Sequence, residues 1–231
     1  MGALRAIEIM NDSLDLFSQW FGPLHDYQGF CIIEIPEGWG SQADVTSIIQ
    51  TAAAFKNPEQ IYQLYHEVSH QWNVKLLDPA PSRFESEGLA MFLQYLVQEQ
   101  LGNKRDAVKN AAERYCESFR KACKNNPKCK DVAVIDYGKE NLTDLSYTKG
   151  MVLFYILYEL TGDDQFKEII GSFYRKYNTT GATSEDFVEH FKLLAKVDLT
   201  QFFDEWVYGI KSSEYIIKGV PVEDMVRIYK K

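Results

Sequence analysis

The run His66-Glu67-Val68-Ser69-His70, with Glu87 following in Phe84-Glu85-Ser86-Glu87-Gly88-Leu89-Ala90, sets the architecture that the rest of the chain must build. The chain holds four histidines, His25, His66, His70 and His190. Chance places two of them four apart, with a glutamate after the first, on the order of once in a hundred such compositions. On a helix, residues four apart share a face one turn from each other, the reach two imidazoles need to grip one ion. The chemistry on offer is zinc binding, with the intervening glutamate placed to take a proton from a bound water.

Local chemistry predicts a helix here: Asn57 caps it, Pro58 fits its first position and Gln60 stands where a capping box wants its glutamine. Ile61, Leu64, Tyr65, Val68 and Trp72 recur as one apolar stripe, and His66 and His70 point away from it into a cleft. An ordinary polar helix face is the competing reading of the pair. Two acids compete to complete the site. Pro81-Ser82-Arg83-Phe84-Glu85 reads as a helix start in which Ser82 caps and Glu85 is its capping-box partner. Glu87 is left free to face the first helix, and Gly88 permits the two backbones to approach closely. Glu87 is the expected third ligand, with Glu85 as its substitute.

At these residues the chain resembles the aminopeptidase N family of gluzincin metallopeptidases, in which H-E-x-x-H is followed at a distance by N-E-G-F-A. His66-Glu67-Val68-Ser69-His70-Gln71-Trp72 and Ser86-Glu87-Gly88-Leu89-Ala90 carry the match, and Ser146-Tyr147-Thr148-Lys149-Gly150 is similar to the family's Y-x-K-G. The resemblance extends to residues 14–23, like the family's helix ending in F-G-P, and to residues 183–206, like its D-F…F-F-D-E-W segment. It implies an α+β, predominantly helical fold: a thermolysin-like, two-lobed zinc peptidase catalytic domain with a small N-terminal sheet. It also implies one Zn2+ per chain held by His66, His70 and Glu87, with Glu67 moving the proton, Tyr147 stabilising the oxyanion, and a peptide or protein as substrate. A phenol suits that task because it stays protonated at neutral pH and can donate to developing negative charge. Without the resemblance, Tyr147 is one of 14 tyrosines, near the start of an apolar helix running through Met151, Phe154, Tyr155 and Tyr158. The family's flanking β and helical domains have no counterpart here, so the chain is expected to be a catalytic domain out of a larger protein.

Three departures bear on what kind of peptidase this is. The loop between His70 and Glu87 holds 16 residues, two fewer than the family's usual loop. The family's second glutamate, beside a zinc-bound histidine, falls on Gln94, a neutral amide. The family's G-A-M-E-N, whose glutamate binds the substrate's free amine, corresponds to Gly40-Ser41-Gln42-Ala43-Asp44, with alanine in the glutamate's place. The resemblance thus leaves exopeptidase and endopeptidase action both open. Ile32-Ile33-Glu34-Ile35-Pro36 reads as an edge strand followed by a Gly-containing turn, able to align a peptide through backbone hydrogen bonds. Asp44 and Glu34 are candidate amine anchors, with plain solvated carboxylates as the competing reading. The same departures sustain a second class of function, a non-catalytic peptide-binding scaffold that keeps the peptidase fold.

Length and composition agree with a single unit: 231 residues, 45% hydrophobic, build one sizeable core. A division near Pro79-Ala80-Pro81 separates an α/β lobe (1–79) carrying the zinc motif from a helical lobe (80–231). Before it lie a helix over residues 3–21 and a strand region over 30–49; after it, helix starts are signalled at Ser82, at Thr143 or Asp144, at Thr183 with Asp186, and at Asp198. No stretch reaches the roughly 18 apolar residues of a membrane span. A net charge of −8 argues against nucleic acid. Cys31, Cys116, Cys123 and Cys129 lack metal-site spacing. A disulfide from Cys129 to Cys116 or Cys123 and free thiols are both compatible with the order of residues, so the compartment stays open.

Overall fold

The computed structural model describes residues 2–25, 29–44, 47–57, 59–102 and 104–230. Helix α1 (Gly2–Phe21) buries Ala6, Ile9, Met10, Ser13, Phe17 and Phe21, one stripe at helical spacing. Strands β1 (Cys31–Ile35), β2 (Gln42–Ala43) and β3 (Ser47–Thr51) form a sheet in the order β1-β3-β2, with β1 parallel and β2 antiparallel to β3. Then come α2 (Ala52–Lys56), a 3-10 turn (Gln60–Tyr62), α3 (Gln63–Ser69) and a second 3-10 turn (His70–Trp72). A π-helical turn (Phe84–Gly88) opens the second half, followed by α4 (Leu89–Gln100), α5 (Ala107–Asn125), α6 (Asp144–Thr161), α7 (Asp163–Tyr177) and α8 (Ser184–Leu194). Helix α9 (Thr200–Phe203), another π turn (Asp204–Tyr208), α10 (Lys211–Ile217) and α11 (Val222–Tyr229) complete the chain. This is the mostly helical α+β architecture with a small N-terminal sheet that the resemblance implies. Among the described residues no helix is long and apolar enough to cross a membrane.

Helix α6 is apolar nearly all round, and it is buried nearly all round, against α4, α5, α7, α11 and the first π turn. Where α6 crosses that turn, a Cβ added to Gly88 would stand 2.8 Å from the Gly150 Cα. The expected approach of Gly88 to the zinc-motif helix is therefore corrected. Gly88 lies against α6, since the two glycines together remove the side chains that would hold these backbones apart. Tyr147, one turn before Gly150, is carried to the Glu87 side of the crossing. Gly88→Ala should overpack this contact and cost about 1–3 kcal/mol. In a chain of this size that lowers the melting temperature by roughly 2–10 °C, checked by thermal unfolding followed by circular dichroism.

Several sequence-based expectations change. The predicted stripe is buried, with Ile61, Leu64, Tyr65, Val68 and Trp72 all in the core, but the helix under it is shorter and flanked by 3-10 turns. Asn57 ends α2, while its side-chain oxygen accepts from the Glu59 N–H at 2.9 Å and its carbonyl from Gln60 and Ile61. Gln60 makes no capping box, and Pro58 lies outside the described residues. Ser82 is not a helix cap either. Its hydroxyl donates to the Val134 carbonyl, its own carbonyl accepts from Ser146, and the helix starts after Arg83 in a left-handed conformation, φ 70°. The Thr183–Asp186 capping box is present, α6 starts at Asp144, and Asp198 accepts from the Thr200 N–H at 2.9 Å. All four cysteines are free thiols, and burial pushes Cys116 up to about 12 and Cys123 up to about 11.

Lys149 is fully buried in α6. It donates to Ser213 Oγ at 2.8 Å and lies over the Phe119 and Tyr137 rings. Burial lowers its pKa from 10.5 to about 7. The unfolded chain thus binds more protons than the folded one above pH 7, so this group adds stability as pH rises. Between pH 7 and 9 the contribution is about 1 kcal/mol per pH unit. Lys149→Met should be more stable at pH 7, and the difference from the parent should shrink as pH rises to 9, measured by urea unfolding at each pH.

Candidate active site

A cavity of about 810 Å³ opens where α3, the sheet, the first π turn and the start of α6 meet. His66 sits near the end of α3, and His70, in the following 3-10 turn, keeps right-handed helical angles (φ −62°, ψ −16°) that hold it on the same face. Glu87 enters from the π turn. His66 Nε2 and His70 Nε2 are 3.1 Å apart, and Glu87 Oε2 stands 3.3 Å from the first and 3.4 Å from the second. Tetrahedral ligands about 2.0–2.1 Å from zinc stand roughly 3.3 Å from one another, so this triangle has the dimensions of three corners of a zinc site. Glu85 takes no part. Two residues from Glu87 on a helix, it points to the other side, where it lines a small cavity with Trp72 and Phe173. Its carboxyl is buried, and burial pushes it up to about 7 against the opposing pull of the Ser184 hydroxyl.

The electrostatics suit a cation. Burial pushes His66 below its ordinary value, which keeps the imidazole neutral and its lone pair available, although the Glu87 hydrogen bond opposes this. Burial alone would raise Glu87, but hydrogen bonds from both histidines and the nearby Arg83 charge outweigh it and hold this carboxylate well below the usual range. Glu67, buried on the cavity wall, is pushed up to about 7 by burial, with His70 opposing and Glu87 adding to the shift. The Tyr147 ring lies nearly parallel to that of His66, 6.1 Å between centroids, and its hydroxyl is held protonated by burial and by Glu87.

Residues 37–206 match the Peptidase family M1 domain. The chain belongs to peptidase family M1. No curated protein sequence matches it. Among solved structures it is similar to an M1 zinc metallopeptidase from Deinococcus radiodurans, with 19% identity, a TM-score of 0.62 and coverage of 90% of this chain and 43% of that one. A mutant of that enzyme gives 19% and 0.63 over 91% of this chain and 44% of the other. A mutant bound to a Tyr-Ser-Ala substrate gives 17% and 0.61 over 89% and 43%. The chain therefore spans less than half the length of these relatives. Zn2+ is the ion that M1 membership implies, and two imidazoles with one carboxylate at these separations fit it.

Of the residues expected from sequence, His66, Glu67, His70, Glu87 and Tyr147 come together on this cavity, as do Gly40, Ser41, Gln42 and Ala43. Gln42 and Ala43 approach on β2, an edge strand of the sheet, with Gly40 and Ser41 just before it, and Gln71 donates from beside His70 to the Asp44 carbonyl at 2.9 Å. The edge facing the site is thus β2, whereas Ile32–Ile35 of β1, with Glu34, lies on the opposite edge of the sheet. Asp44 lines the cavity. The expected outer contact of Gln94 is not made to His66, whose Nδ1 is buried without a hydrogen-bond partner. Two polar neighbours of the ligands escaped sequence reading. The Asn73 amide lies 2.7 Å from His70 Nδ1, and with Nε2 turned to an ion the Nδ1 proton calls for the amide oxygen on that side. Arg83 pairs with Glu87 Oε1, the oxygen that faces away from the histidines. Spacing alone hints at both, three residues after His70 and four before Glu87, but single polar residues at such positions are common.

Proposed function

We propose that this domain hydrolyses peptide bonds. The observation that carries the reading is the triangle of His66, His70 and Glu87 with Glu67 and Tyr147 on the same cavity wall. His66, His70 and Glu87 would hold the zinc, which when bound would supply Lewis acidity, enough to lower the pKa of water to roughly 7 and to polarise a carbonyl. Glu67 takes the proton from the attacking water as its oxygen bonds to the carbonyl carbon, then passes that proton to the leaving nitrogen as the C–N bond breaks. Tyr147 donates its hydroxyl hydrogen to the oxygen that gains charge. Tyr147→Phe should keep zinc and substrate binding while lowering kcat by about 10²–10³, from steady-state kinetics beside metal analysis.

The substrate's amine has no glutamate to meet at Ala43, which favours cleavage within peptides over removal of N-terminal residues. Ala43 and the unpartnered His66 Nδ1 also support a second reading, a peptide-binding scaffold. One experiment separates these: zinc stoichiometry on the purified chain, coupled to cleavage of a peptide library with free and acetylated N-termini, with and without chelator. Chelator-sensitive cleavage of both halves supports an endopeptidase. Cleavage of free N-termini alone overturns the reading of Ala43, and one zinc per chain with no cleavage leaves the scaffold.

A further inference from the structure

Arg83 is the one arginine or lysine among the described residues that line the active-site cavity, where Asp44, Glu67 and Glu87 are the acids. Its backbone occupies the left-handed region at φ 70°, ψ 9°, a conformation that a non-glycine residue keeps only when its surroundings impose it. The preceding Ser82 is held from two sides, by Val134 and by Ser146, and this fixes the turn that swings Arg83 over the cavity. Nη2 pairs with Glu87 Oε1 while Oε2 of the same carboxylate completes the triangle with the histidines. The guanidinium therefore stands one carboxylate's width from the metal position. Yet the Arg83 side chain is 47% exposed against 6% for Glu87 and lines the cavity, so its planar fork of five donors is not used up by Glu87 alone.

We propose that Arg83 is the docking group for a substrate carboxylate, a free C-terminus or an Asp or Glu side chain, one or two residues from the bond that is cut. This rests on the peptidase reading for where the scissile carbonyl lies. One residue of extended chain spans about 3.3–3.6 Å, so a carboxylate that close to the scissile bond is in reach of a guanidinium beside the metal position, and a more distant one is not. The planar fork matches a carboxylate with two parallel N–H donors. The wall that would hold an amine in an aminopeptidase carries Ala43, with Asp44 beside it as the acid on that side, while Arg83 supplies the cationic contact on the other. The class of substrate that follows is a short or acidic peptide recognised from its carboxylate side.

The test compares matched peptides that differ only in a free or amidated C-terminus, or in Asp against Asn, with the group one to four residues beyond the cleaved bond. Binding to zinc-loaded Glu67→Gln protein is measured by calorimetry, so that no turnover is needed, and zinc content is determined for every variant. Carboxylate peptides should bind at least tenfold more tightly than their neutral partners when the group is one or two residues away, and the advantage should vanish at four. Adding Arg83→Met should bring the ratio close to one. Arg83→Lys, a point charge without the fork, should give an intermediate ratio, and it carries the comparison should the methionine variant lose zinc or fail to fold. Equal binding of both peptides, or a ratio unchanged in both arginine variants, overturns the proposal. A carboxylate preference in a chain that cleaves no peptide would leave Arg83 docking in place and sink the peptidase reading; cleavage indifferent to the carboxylate would do the reverse.

Discussion

Glu67→Gln is expected to keep one zinc per chain and to lose about 10³-fold or more in kcat, with little change in KM. Glutamine preserves the size of the side chain and the packing of a residue that is 7% exposed, and it lies beside a ligand without being one. What it cannot do is accept a proton. A positioned base contributes about 10²–10⁴-fold when proton transfer accompanies bond making, and here the same group also has to protonate the leaving nitrogen. Burial prepares Glu67 for both, since a carboxyl pushed up to about 7 takes a proton more readily than an ordinary carboxylate and can still release it near neutral pH. The check is metal analysis together with steady-state kinetics on a peptide the parent cleaves. Activity within tenfold of the parent would remove Glu67 from the mechanism.

His70→Ala should lose zinc, and all chelator-sensitive activity with it. Its Nε2 is one corner of a triangle whose edges run from 3.1 to 3.4 Å, and the remaining imidazole and carboxylate make only two corners of a site that needs three from the protein. Changes to outer partners of a metal ligand typically cost 10–100-fold in affinity, so removal of the ligand itself should cost more than about 100-fold. Competition with a fluorescent chelator reads the affinity directly. Because His70 is partly exposed at the end of α3 and its ring is not in the apolar core, the fold should persist, with a far-ultraviolet circular dichroism spectrum like the parent's. Zinc bound at parental affinity would show that the ion is held elsewhere.

Much of this was legible in the order of residues, and the reason is local. His66 and His70 are four apart on one turn of helix, the apolar stripe through Ile61, Leu64 and Val68 fixes which way that helix rolls, and Thr183 with Asp186 caps a helix through bonds that span three residues. Such features depend on neighbours in the chain, and periodicity reports them. The structure also sets Glu87 rather than Glu85 beside the two histidines, though not for the capping reason. Ser82 is occupied by Val134, 52 residues away, and Glu85 is a buried acid rather than a cap.

What escaped was whatever depends on two distant segments at once. Gln94 stood at the family's position for an outer acid, yet His66 Nδ1 has no partner, because whether a side chain reaches a ring depends on rotamer and helix rotation and not on spacing. Gly88 was expected to face the zinc-motif helix and meets Gly150 instead. Arg83 looked like the second residue of a helix cap. It points into the cavity only because contacts to Val134 and Ser146 set the preceding backbone. By itself, then, the sequence singled out the histidine pair, Glu87 as its partner and the helical character of the chain, since these follow from short-range period and from donor chemistry. Only the tertiary structure decided which helix the Glu87 turn crosses, which oxygen of Glu87 faces the histidines and where Arg83 points, because close packing between segments far apart in the chain leaves no periodic trace in either one.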